Sequence, residues 1–243
     1  MISAWRRRRA LIVGVALALS GAAAAAFAVW PEMRDRDEPG PRPAAATPAP
    51  VESVNAALRR RLPGGLRLLD PSRAEDKDAI VVTRRTARRH GLTSLADLAR
   101  VSDGFVLGGA PEAQTRRQGM VGLRAVYGAG FKAYQPFRQE DFGTMADLLD
   151  KGSLQAAQMF TTDPLLRSRD FAVLSDPEHL FGAQNVTPLV GDGRVDAAVR
   201  AALNAVSAEL TTEDLRYMNA RVALDEDAVE AVAKAWLVQN GLL

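Results

Sequence analysis

The chain has 243 residues, 47% of them hydrophobic and 25% charged, enough for one substantial domain or two small lobes. It contains no cysteine, which excludes a disulfide framework, a thiolate metal site and a lipid-bearing cysteine. The formal charge of +2 owes its sign to residues 1–30, which hold four arginines and no acid; the remainder carries 27 basic against 29 acidic side chains, so no concentrated basic face points to nucleic acid.

Arg6 to Arg9 precede an uncharged apolar stretch from Ala10 to Trp30. A run of about 20 apolar residues can span a bilayer with its arginines on the cytoplasmic side. The sequence AAAAAFA within it equally offers small-residue sites to a signal peptidase. Residues 1–30 are therefore a signal-anchor helix or a signal peptide, and either one exports the rest to the periplasm or cell surface. Residues 31–50, PEMRDRDEPGPRPAAATPAP, lack apolar periodicity and predict an extended, disordered linker.

Val54, Ala57, Leu58 and Leu62 recur at helical spacing and stop at Pro63 and Gly64. Leu66 to Leu69 reads as a short strand, and Ala79 to Thr83, apolar and β-branched, as a buried one. Arg84 to Arg89 forms a solvated helix face that ends at Gly91. Ser94 and Asp97 have the spacing of a capping box for the next helix.

From Phe105 to Asp163 strands and helices alternate. The apolar run after Phe105 stops at Gly108, Gly109 and Pro111; a helix carries Met120, Leu123 and Val126 to Gly128; Phe131 to Phe137 is a strand, Thr144 to Leu149 a helix, and Leu154 to Phe160 a strand that ends in Thr161, Thr162 and Asp163. This order predicts an α/β layer with a largely parallel sheet, whose ligands sit in the loops at the strands' carboxyl ends, GGAPEAQTR and TTDP. Phe160 is expected in the core. After Phe171 to Leu174, an apolar segment from Phe181 to Val190 returns. Three helices then close the chain, over Val195 to Leu210, after a cap at Thr211 or Thr212, and over Asp227 to Gln239. His90 and His179 are far apart and no G-x-S-x-G elbow occurs, so neither catalysis, a metal nor a cofactor is expected.

The pattern GG-PE-x-x-T-R-x-x-G-x-x-G-L-x-x-x-YG-x-x-F, followed by FTTDP, resembles the substrate-binding proteins of glycine betaine, carnitine and choline ABC importers. AEDKDAIVVTRRTARRHGLTSLADLA before it, and LFGAQNVTPLV and LTTEDLRYMNARV after it, extend the resemblance over roughly Leu66 to Leu243. It implies an α/β, periplasmic-binding-protein-like (type II) fold. Lobe II, residues 103–185, is complete; lobe I, residues 51–102 and 186–243 with the C-terminal helices, is partial because the family's opening strands are replaced by the anchor and linker. The implied function is that of the extracytoplasmic solute-binding component of an importer. Its partners are an ABC transporter permease, a small quaternary ammonium ligand and, through the N-terminal helix, the membrane. The alternative is a membrane-tethered, truncated homologue with reduced or lost ligand binding that acts as an interaction or regulatory module.

A quaternary ammonium ligand needs aromatic faces for its cation and donors for any carboxylate. The donor is Arg116, whose fork can clamp a carboxylate; its other reading is a surface arginine beside Arg117. Thr115, Thr161 and Thr162 offer hydroxyls. Asp163 attracts a cation or caps the next turn, with the cap the better fit. Asp78 lies on the first crossing, facing the cleft or solvent, and Gln184 and Asn185 bring amides on the second, Gln184 where relatives often carry an aromatic residue. Tyr127, Phe131, Tyr134 and Phe137 are expected to pack in the core, as is Trp236. Tyr217 is expected to contact the other lobe.

Overall fold

The computed structural model describes residues 51–243; the expected anchor and linker lie outside the described residues. The described chain opens with helix α1 (Val51–Arg61) and strand β1 (Leu66–Leu68). Strand β2 (Asp78–Thr83) leads into helices α2 (Arg84–His90) and α3 (Leu95–Ala99), and strand β3 (Val106–Gly109) into α4 (Met120–Tyr127). Strand β4 (Ala133–Pro136), helix α5 (Phe142–Lys151), strand β5 (Ala156–Phe160), helix α6 (Leu165–Ser168) and strand β6 (Phe171–Val173) follow. Strand β7 (Leu189–Gly191) precedes helices α7 (Ala197–Glu209), α8 (Thr212–Ala223) and α9 (Val229–Gln239).

Local chemistry sets most of these ends. Ser94 and Asp97 exchange side-chain and backbone hydrogen bonds at the start of α3, as do Thr211 and Asp214 at the start of α8. Gly128 ends α4 at φ +74°, a left-handed conformation that a side chain would oppose.

Two sheets form. The larger has the order β4-β3-β5-β2-β6, with β3 parallel to β4 and β5, and β2 antiparallel to β5 and β6. Its two faces are covered by separate clusters, one around Leu95, Leu107 and Leu123, the other around Met145, Leu149 and Leu154. The smaller sheet pairs β1 with β7 antiparallel. A third cluster, with Leu215, Met218 and Trp236, joins the three C-terminal helices. The pairing of β2 corrects one boundary. Residues from Asp78 to Thr83 belong with the larger sheet, because their ladder partners are Phe160 to Ala157 on one side and Phe171 to Val173 on the other. The division between the sheets falls before Asp78 and not near residue 102.

Two segments connect the sheets side by side. Ser72 N–H donates to Val186 O and Val186 N–H to Ala74 O, each at 2.9 Å, and Asp76 N–H donates to Gln184 O at 3.2 Å. Among the described residues no helix is long and apolar enough to cross a membrane.

Candidate functional site

The reversed direction of β2 builds the site. Asp78 is the first residue of β2 and pairs with Phe160, the last of β5, so it stands on the same rim as the carboxyl ends of β3 and β5. The loop after β3 crosses this rim and carries Glu112 and Arg116. A cleft of about 320 Å³ opens there, and Asp78, Glu112, Arg116, Gln158, Phe142 and Phe160 line it. Arg138 and Glu140 stand at its margin.

The floor is polar and buried. Gln158, the one polar residue of AAQMF, is 4% exposed and Asp78 8%. Gln158 Nε2 donates to Asp78 Oδ1 at 3.0 Å and to Gln118 O at 2.8 Å. Arg116 Nη2 lies 3.7 Å from Asp78 Oδ1. Burial, helped by the neighbouring charges of Asp76 and Glu112, pushes the Asp78 carboxyl above its ordinary value against the opposing pull of the Gln158 hydrogen bond and the Arg116 charge. Tyr134 donates to Ala110 O at 2.5 Å, and burial pushes its phenol well above its usual range.

Two glycines hold the Arg116 loop close to its helix. A Cβ on Gly119 would lie 1.9 Å from Ala113 O, and one on Gly122 1.9 Å from Arg117 O. The G-x-x-G spacing of the sequence is thus a requirement for backbone approach.

The expected site residues separate into groups. Arg116 and Asp78 meet in the cleft. Thr115 is exposed on the outer side of its loop, with its hydroxyl 3.4 Å from Glu112 O. Thr161 and Thr162 serve the junction between the sheets: Thr161 Oγ1 accepts from Lys77 N–H and donates to Glu75 O, and Thr162 Oγ1 donates to Asp76 Oδ1 at 2.5 Å. Asp163 Oδ1 accepts from Leu165 N–H at 2.9 Å, the geometry of a turn cap. Gln184 Nε2 donates to Phe181 O and Asn185 Nδ2 to Ser72 O, so both amides tie down the second crossing. Phe160 is half-buried on the cleft wall, not in the core as expected, because the β2 ladder ends beside it. Sequence reasoning missed Gln158, Glu112 and Phe142. A lone amide inside an otherwise apolar strand was the available signal for Gln158.

On the far side of the junction, α8 grips the TTDP loop. Arg216 Nε and Nη2 donate to Thr161 O at 3.0 and 2.9 Å, and Asn219 Nδ2 donates to Thr162 O. Arg167 of the larger lobe lies 4.9 Å over the Tyr217 ring, so Tyr217 does make a contact between lobes.

The family model for the substrate binding domain of ABC-type glycine betaine transport systems matches residues 22–239. The chain belongs to this family. It is 25% identical over 190 residues to a glycine-betaine-binding protein of Pseudomonas aeruginosa, covering 74% of the present chain, and it spans 61% of that relative's length. Among solved structures, that of a glycine betaine/carnitine/choline ABC transporter superposes with a TM-score of 0.71 at 21% identity, covering 81% of this chain and 73% of the other. Apo YehZ from Escherichia coli superposes with a TM-score of 0.64 at 24% identity, covering 79% and 71%. The α/β periplasmic-binding-protein-like fold expected from the resemblance is therefore present.

Proposed function

We propose that the chain is the extracytoplasmic solute-binding component of an ABC importer and holds a small quaternary ammonium solute of the glycine betaine and choline type in the cleft at Asp78 and Arg116. The carrying observation is the composition of that cleft. Buried Asp78 with Glu112 supplies negative charge for an ammonium head, and the rings of Phe142 and Phe160 supply apolar faces for its methyl groups. Arg116 supplies donors for the polar end of the ligand. Lobe II, built on the larger sheet, provides these residues. Lobe I closes over them about the two crossings, and the closed form engages a permease in the membrane. Thr161, Thr162, Gln184 and Asn185 act in this scheme through the hinge, and Thr115 and Asp163 stand outside the ligand's reach.

Thermal unfolding of the full chain with glycine betaine, choline, carnitine and proline betaine tests the proposal. A ligand at about 100 times its Kd stabilises the folded state by about 2.7 kcal/mol. For a chain of this size that amounts to a rise in midpoint of about 5–10 °C. A cooperative transition that none of the four moves at millimolar concentration would refute the assignment.

A further inference from the structure

The floor of the cleft holds two buried polar atoms that the protein leaves unmatched. Among the described residues, Gln158 Oε1 has no donor and Arg116 Nε no acceptor. The orientation of the Gln158 amide is not free. Its two N–H groups are committed to Asp78 Oδ1 and to Gln118 O, and a flipped amide would set its oxygen against both of these acceptors. A buried acceptor with no donor is costly, which makes it a place where a ligand's donor gains most.

Charge works in the same direction. Asp78, Glu112 and Glu140 line the cleft against Arg116 and Arg138, and Asp78 already faces the Arg116 guanidinium at 3.7 Å. A ligand carboxylate would share this floor with the Asp78 carboxylate and with Gln158 Oε1, and it has no proton to give either. A hydroxyl both donates and accepts, and so answers both unmatched atoms.

We infer that Gln158 is a specificity-determining residue that selects a quaternary ammonium solute ending in a hydroxyl over one ending in a carboxylate. The inference rests on the reading of the cleft proposed above and narrows its ligand class. Gln158 Oε1 accepts the hydroxyl proton, Arg116 Nε donates to the hydroxyl oxygen, and the cationic head lies toward Glu112 and the aromatic walls.

Calorimetric titration of the full chain with three probes tests it: choline, glycine betaine, and n-propyltrimethylammonium, which replaces the hydroxyl of choline with a methyl group. Choline is expected to bind about tenfold tighter than either of the others, the scale of one buried hydrogen bond gained where an acceptor was otherwise unmatched. In Gln158→Met, of similar volume but without the acceptor, the preference for choline over n-propyltrimethylammonium should fall several-fold, to what the Arg116 bond alone supplies. Glycine betaine binding as tightly as choline to the unaltered chain would overturn the inference, as would a choline preference over the propyl analogue that is undiminished in Gln158→Met. The first comparison needs no variant and so stands even if the substitution impairs folding. Failure of all three probes to bind would instead strike the reading of the cleft as a quaternary ammonium site, and this inference with it.

Discussion

Asp78, on the floor of the proposed site, shows at the scale of one residue how a buried charge costs stability. Desolvation, with the nearby charges of Asp76 and Glu112, outweighs what the Gln158 amide and Arg116 return, and the pKa of its carboxyl is raised above the ordinary value of 3.8. A group with a raised folded-state pKa adds stability below its unfolded value and loses that contribution as pH rises through the folded value. Ionised Asp78 is therefore a net cost at neutral pH in the ligand-free protein. Asp78→Asn should unfold at a higher temperature than the unaltered chain at pH 7, and the gap should narrow as the pH falls through the raised pKa of Asp78 toward the ordinary carboxylate value, as Asp78 itself becomes neutral. Thermal melts across pH without ligand measure this directly, and a lower midpoint for the variant at pH 7 would show that the charge is stabilised by its partners. Asp78 also marks a limit of sequence reasoning. Nothing local distinguishes it from Asp76; its place on the cleft floor follows from the ladder that pairs it with Phe160, 82 positions away.

At the scale of elements, much was legible because the signals were local. Ser94 with Asp97 and Thr211 with Asp214 are reciprocal caps readable from spacing, and Gly128 stops its helix by backbone conformation alone. The roles of Thr161, Thr162, Gln184 and Asn185 were not legible. Their donors and acceptors are consumed by chain segments 84 or more residues away or by the turn that each helps to form, and a hydroxyl at a strand end looks the same whether it faces a ligand or a hinge. The Arg116 loop lies between these cases, since its glycine spacing is visible in the sequence while the contact it serves is not. Gly119→Ala should push the loop off Ala113 O, shift Arg116, and weaken ligand binding about tenfold or more, the scale of a lost charge-assisted hydrogen bond. An affinity unchanged in this variant, measured by titration, would mean that Arg116 keeps its position without the close turn.

For the whole molecule, the two sheets divide the work. The larger carries the cleft on one rim and a separate apolar cluster on each face, which makes it a rigid platform. The smaller sheet and the three C-terminal helices meet that platform through two side-by-side crossings and the α8 grip on TTDP, contacts made mostly by hydrogen bonds. Such a junction can bend without unpacking a core, as a binding protein that closes around its ligand requires. The central claim is that the Asp78 and Arg116 cleft is where a quaternary ammonium solute is held, and calorimetric titration of the unaltered full chain and of Arg116→Ala with choline and glycine betaine tests it most directly. Saturable binding at one site, weakened about tenfold or more in Arg116→Ala, is the expected result. Binding of equal strength in the two proteins would place the ligand elsewhere, and no heat of binding to either at millimolar solute would contradict the account.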